Sequence, residues 1–213
     1  MTATATAEPF WARVRTALGT LRPLRAERMP GYGQAAIARS VGIRPKLGQL
    51  IDDALAQGWA AAAARNVSLS LLLIEIDRSA EYFTAYGTES TEDCVHTVMG
   101  AITEHLPRPD DRCLRLGRAG FVVVMPDLPA LMARATADKI NAAVRDLMLA
   151  HKESHAGLVT VSLGLAVSNP RGSYDRKFFE AGAAALKKAQ RKGIGRLQVV
   201  DLRPAQQRRR KAA

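Results

Sequence analysis

The chain has 213 residues, 47% hydrophobic and 24% charged, with a formal net charge of +11. This length suits one ordinary domain plus an extension, and the apolar share excludes a disordered chain. Two cysteines without a CxxC spacing, Cys94 and Cys113, exclude a disulfide framework, and the opening Met1-Thr-Ala-Thr-Ala-Thr-Ala lacks the basic-then-apolar pattern of a secretory signal, so a cytoplasmic protein is expected.

Residues 1–33 read as a flexible segment and a helix, with Phe10, Val14, Leu18 and Leu21 at helical spacing between Pro9 and Leu24 and a turn at Met29-Pro-Gly-Tyr-Gly33. Residues 34–66 form a helical lead-in, alanine-rich and broken near Gly42–Pro45. A domain follows over 67–203. Its first strand, Leu69-Ser-Leu-Leu-Leu-Ile-Glu-Ile-Asp77, is too short to span a bilayer and suits a buried position. Helices are expected over Ser79–Tyr86, with a break at Gly87, and over Thr91–Leu106. Two β-prone segments, Cys113–Leu116 and Phe121–Met125, are joined by four residues including two glycines, which is a hairpin signal. Leu128–Leu149 reads as a long amphipathic helix, Leu158–Val167 as a fourth strand, Lys177–Lys192 as a last helix and Ile194–Val200 as an edge strand. Residues 204–213 read as a basic disordered tail. Helices interleaved with a mainly antiparallel sheet make the fold α/β in the broad sense (α+β).

The positive charge is uneven. Residues 1–60 hold eight Lys/Arg against four Asp/Glu, and Arg208-Arg-Arg-Lys211 adds four more, which leaves +3 for the middle. Basic ends attract nucleic acid, an anionic membrane or an acidic protein, but no basic stripe interleaved with aromatics is present, as single-strand binders require.

Four motifs at fitting spacings carry a resemblance over Val67 to Leu202. Arg115-Leu-Gly-Arg-Ala-Gly-Phe121 resembles the signature hairpin R-Y-G-G-D-E-F of the GGDEF domain family, the diguanylate cyclases. Leu69–Asp77 resembles its first strand, which ends in Asp-x-Asp in active members. Val159-Thr-Val-Ser-Leu-Gly-Leu-Ala166 resembles V-T-V-S-x-G-x-A, and Ala185-Leu-Lys-Lys-Ala-Gln-Arg-Lys-Gly193 resembles A-L-Y-x-A-K-x-x-G. The resemblance implies a palm-like nucleotidyl-cyclase domain, with a central sheet flanked by helices and preceded by a helical N-terminal extension. Val41-Gly-Ile-Arg-Pro-Lys46 resembles a remnant of the family's L-T-G-L-x-N-R element, with Pro45 in place of a substrate-contacting Asn.

The same resemblance implies a degenerate active site. Phosphodiester synthesis in the family uses two divalent metals held by carboxylates at the first strand end and the turn. Here that strand end offers Glu75, and Gly117, Arg118, Ala119 and Gly120 form a turn without the acidic pair. Asp77, close by, reads as a loop-facing cap. The guanine-contacting Asn and Asp align with Phe83 and Glu92, and the phosphate-binding Lys with Gln190. No catalytic residue, resident metal or cofactor is therefore expected. His151 and His155, at i, i+4, could share a metal on a helix, but no third ligand is apparent and a solvated loop is the expected setting. No GxSxG, P-loop or Rossmann pattern occurs.

One ligand element is retained. Five residues, Arg112 to Leu116, separate Arg108-Pro-Asp-Asp111 from Gly117, the offset of the family's R-x-x-D inhibitory site for cyclic di-GMP. An arginine fork suits guanine O6 and N7, and a carboxylate suits guanine N1 and N2. A further arginine is implied, for which Arg112, Arg115, Arg134 and Arg145 are the candidates. The leading expectation is a catalytically inactive GGDEF protein that receives cyclic di-GMP through Arg108 and Asp111 and signals to a protein partner through its N-terminal helices or basic tail. The alternatives are a pure interaction module and a basic nucleic-acid-associated protein. A homodimer is compatible with each.

Overall fold

The structure, a computed structural model, describes residues 47–204. The expected helix over Pro9–Leu24, the segment 34–46 and the tail from residue 205 lie outside the described residues. The elements in chain order are α1 (Leu47–Ala64), β1 (Leu69–Ile76), α2 (Ser79–Glu104), β2 (Arg112–Leu116), β3 (Gly120–Pro126), α3 (Ala130–Asp146), β4 (Val161–Ser168), α4 (Lys177–Arg191) and β5 (Leu197–Asp201).

The five strands form one sheet in the order β2-β3-β1-β4-β5, antiparallel throughout except for the parallel pair β4–β5. β1 is central and covered on both faces, which is why it reads as a near-continuous apolar run. Its even residues Leu72, Ile74 and Ile76 face α2 and α3 together with Phe121, Val123 and Met125. Its odd residues Leu69, Leu71 and Leu73 pack with Ile51, Leu55 and Trp59 of α1 and with Phe178 and Leu186 of α4. The helix assigned from sequence to a lead-in therefore supplies half of one core layer. Trp59 anchors it, edge-on to Tyr174 and Phe178, with its indole N–H donating to the Gly172 carbonyl at 3.2 Å. Where α4 crosses β4 the backbones nearly touch. A Cβ on Gly164 would lie 2.3 Å from the Leu186 nitrogen, so only glycine fits there.

Several boundaries differ from the sequence reading. The two expected helices are one element, α2, bent at Gly87, whose φ of 80° and ψ of −177° are open essentially to glycine alone. α3 runs from Ala130 to Asp146 rather than from Leu128 to Leu149, because Leu128 is fully buried beneath the sheet and Met148 adopts a φ of 50° that ends the helix. β5 starts at Leu197 rather than Ile194, since Gly193 and Gly195 turn the chain at φ 119° and 65°. No helix among the described residues is long and apolar enough to cross a membrane.

Candidate functional site

The register of the sheet assembles two polar clusters at opposite ends of the β2–β3 hairpin. β2 has five residues, which separates the clusters by roughly 17 Å at the rise of an antiparallel strand.

The first cluster surrounds the hairpin turn. Pairing places Glu75 directly opposite Gly120 on β3 and Ser162 on β4. The side chains around this turn are bonded to one another. Arg115 donates to both carboxylate oxygens of Glu92 at 2.6 and 2.8 Å, and also to the carbonyls of Gly117 and Arg118. Arg118 stacks its guanidinium 4.7 Å over the Phe83 ring. The Gln190 amide donates to Glu75 at 2.8 Å. Asp77 is buried and saturated: it accepts from the hydroxyls of Thr160 and Ser162 at 2.7 and 2.6 Å and from the Gly195 N–H at 2.7 Å. It is a structural cap tying β1 to β4 and to the turn before β5. Ala119 is buried, and a Cβ on Gly120 would meet the Leu116 carbonyl oxygen at 2.7 Å.

The electrostatics follow the pairing. The Arg115 hydrogen bonds hold the Glu92 carboxyl below the usual carboxylate range, and Glu92 in turn raises the Arg115 guanidinium. The metal pair implied by the resemblance does not fit these residues. Of the carboxylates near the turn, Glu75 is engaged by Gln190 and Glu92 by Arg115, and among the described residues no group of three His, Cys, Asp or Glu is placed to hold a metal ion. Burial pushes the Cys113 thiol up to about 12 and raises that of Cys94.

The second cluster surrounds Arg108–Asp111. Asp111 is buried, 1% exposed, and its carboxylate accepts the Arg108 backbone N–H at 2.9 Å, closing the turn. The Arg108 guanidinium turns the other way. It pairs with Asp127 at 3.0 Å and donates to the Pro126 carbonyl at 3.3 Å. Arg65, at the end of α1, meets the same Asp127 carboxylate at 2.9 Å. Beside them a cleft of about 200 Å³ opens between α1 and the hairpin, walled by Ala54, Gly58, Ala61, Val124 and Pro126 with Arg65, Arg112, Asp110 and Gln57 on its polar rim. Arg112 donates to Gln57 at 3.1 Å.

Of the four further arginines proposed from sequence, Arg112 lines this cleft and Arg134 lies at the near end of α3. Arg115 is held at the hairpin turn by Glu92, and Arg145 sits beside Gly195 at the far end of α3, so neither reaches the loop. Arg65 and Asp127 were missed. They are 62 residues apart, and only the fold brings them together.

His151 also departs from the solvated loop expected of it. It is fully buried on a non-helical segment, its Nε2 lies 3.2 Å from the Arg78 carbonyl and its ring packs edge-on to Tyr82. His155 is exposed, so the two do not form a pair. The loop docks onto the start of α2, with His151 between Tyr82 and the Arg78 carbonyl.

The family model described as "Diguanylate cyclase, GGDEF domain" matches residues 49–196. The chain is 25% identical over 142 residues to the probable diguanylate cyclase DgcT of Escherichia coli, an alignment covering 66% of this chain and 31% of that protein. It thus spans about a third of that relative's length. Among solved structures it resembles the GGDEF domain of DgcB from Caulobacter crescentus in complex with c-di-GMP (TM-score 0.63, 24% identity, 70% of this chain and 87% of that one). It also resembles the diguanylate cyclase SiaD in complex with its activator SiaC from Pseudomonas aeruginosa (TM-score 0.64, 18% identity, 89% and 70%).

Proposed function

Because the chain belongs to the GGDEF domain family, we propose that it is a regulatory member without cyclase activity, which binds cyclic di-GMP at the Arg108–Asp111 loop and passes the signal by protein contact. The observation that carries the first half is the self-filled turn. Arg115 with Glu92, Arg118 with Phe83 and Gln190 with Glu75 occupy the substrate positions, and no carboxylate pair remains to steady two metals. A purine and its phosphates would have to break all three contacts to enter.

The receptor half rests on a cleft with apolar walls rimmed by Arg65 and Arg112, with Arg108 beside it on the Asp127 carboxylate it shares with Arg65, a setting suited to a flat base carrying a phosphate. Arg108 supplies the fork that reads guanine. Asp111 holds the turn that aims it, and reaches the ligand itself once the loop opens. DgcB was solved with c-di-GMP and SiaD with a protein activator, which supports both a nucleotide and a protein partner for this fold.

Titration calorimetry with cyclic di-GMP tests the reading. Wild type should bind, and Arg108→Ala should lose roughly five- to hundred-fold in affinity, since a bidentate guanine contact is worth about 1–3 kcal/mol. The ligand should also raise the melting temperature, because it binds the folded state alone. GTP with Mg²⁺ or Mn²⁺ should yield no cyclic di-GMP by chromatography. If neither heat nor a melting shift appears at high micromolar ligand, the domain is an interaction module without a nucleotide.

A further inference from the structure

We propose that the C-terminal end of α4 and the turn after it form a second, independent binding surface for the phosphate backbone of double-stranded nucleic acid. The charge distribution of the folded domain points there. Residues 47–204 hold 19 Lys/Arg against 18 Asp/Glu, close to balance, yet residues 187–196 hold five of those cations and none of those acids. The rest of the described sequence is left with 14 against 18.

The five are Lys187, Lys188, Arg191, Lys192 and Arg196, and all are exposed. Arg145 joins them from α3. Its guanidinium lies against Gly195, so close that a Cβ there would sit 2.5 Å from Nη2. Among the described residues none of the six forms an ion pair. The one polar partner, the Gln198 side chain that accepts from Lys192 at 2.8 Å, is neutral.

A helix dipole accounts for part of this. Cations in the last turns, Lys188 and Arg191 on α4 and Arg145 on α3, each gain about 0.3–1 kcal/mol. It does not account for Lys187 or Arg196, nor for the convergence of two helix ends on one surface. Like charges held this close repel one another in the folded state, and a polyanion relieves that repulsion.

The surroundings select the kind of polyanion. The exposed large hydrophobics of the described residues are Leu131, Met132, Met148 and Leu202, none of them within 187–196 and only Met148 close in sequence to Arg145, so the segment itself offers charge without the apolar face a lipid interface needs. No aromatic residue lies within 187–196, which excludes base stacking with single strands. The nearby carboxylates are Asp146, next to Arg145, Glu75, held by Gln190, and the buried Asp77, which accepts from the Thr160 and Ser162 hydroxyls and the Gly195 N–H. What remains suits a duplex, read through its backbone without sequence preference.

The test is fluorescence anisotropy of the full chain with short DNA duplexes of unrelated sequence, across a salt series. The variant Lys187→Gln/Lys188→Gln/Arg191→Gln/Lys192→Gln is compared with Arg208→Gln/Arg209→Gln/Arg210→Gln/Lys211→Gln. Wild type should bind both duplexes alike, with log affinity falling linearly in log salt. The α4 variant should flatten that slope by about 2–4 units, at roughly 0.9 per phosphate released, and weaken binding at least tenfold at low salt. Its melting temperature should match wild type; should it fall, the pair Lys187→Gln/Lys188→Gln alone is compared and should flatten the slope by about 1–2 units.

Several results would overturn the proposal: no duplex binding by wild type, an α4 variant with the wild-type slope while the tail variant loses it, or binding confined to phosphatidylserine vesicles or polyglutamate. None of these bears on cyclic di-GMP, whose binding at Arg108 is measured separately.

Discussion

At Asp127 two guanidiniums, from Arg65 and Arg108, converge on one carboxylate whose own backbone stands at φ 59° and is pinned by its N–H donating to the Ser68 carbonyl at 2.7 Å. A ligand phosphate or guanine edge must compete with that carboxylate. Asn tolerates the same left-handed backbone but carries no charge. Asp127→Asn should therefore release Arg108 and raise the affinity for cyclic di-GMP by about two- to five-fold in calorimetry, since exposed ion pairs are worth up to about 1 kcal/mol. An unchanged or weaker affinity would show that Asp127 aims Arg108 rather than occupies it.

The turn makes the opposite point. Gly120→Glu would restore an acid at the signature position, but its Cβ would press on the Leu116 carbonyl. Overpacking of that kind costs about 1–3 kcal/mol, so the variant should melt lower than wild type and still make no product.

At the scale of elements, the hairpin turn is bound to α2 by the ion pair of Arg115 with Glu92, beside the stacking of Arg118 on Phe83 and the packing of Ala119. The Glu92 carboxyl titrates lower in the folded protein than in the unfolded chain. Its contribution is therefore complete above the unfolded value of about 4.3 and is lost as the pH falls through the folded-state value. Glu92→Gln should show less loss of stability over that acid range than wild type in thermal melts. Two melting curves that fall in parallel with pH would place the acid sensitivity elsewhere. α2 itself shows what the chain pattern could and could not tell. Its two amphipathic halves and the break at Gly87 are legible, because spacing and a glycine announce them. That the halves remain one bent element depends on their shared packing against β1 and α3, which no local pattern carries.

For the molecule as a whole, strand identity and the buried centre of the sheet were legible, since a doubly covered strand must be apolar along its length. The vacated acid positions at Ala119 and Gly120 could be read directly, because a missing carboxylate is visible in the letters. The side-chain pairs that fill the site were not, since Arg115 and Glu92 are 23 residues apart and Glu75 and Gln190 are 115 apart. Nor was the role of α1, whose alanines suggest a linker helix while Ile51, Leu55 and Trp59 form a core layer. A chain beginning at residue 67 should accordingly fail to give a cooperative melt by circular dichroism. Losing a buried Trp alone costs about 3–5 kcal/mol, against a total of about 5–15 for a domain.

The strand order has a consequence for synthesis. β1 is translated before its partners: β3 pairs with one of its edges some fifty residues later, but the other edge waits for β4, whose first residue, Val161, lies 85 positions beyond Ile76. Throughout that interval the nascent chain offers Leu-Ser-Leu-Leu-Leu-Ile with its hydrogen-bonding groups open on one side, a template for pairing with a neighbouring copy. A ribosome that stalls between residues 126 and 161 would thus release an aggregating fragment. The finished protein buries seven of the eight residues of the same strand.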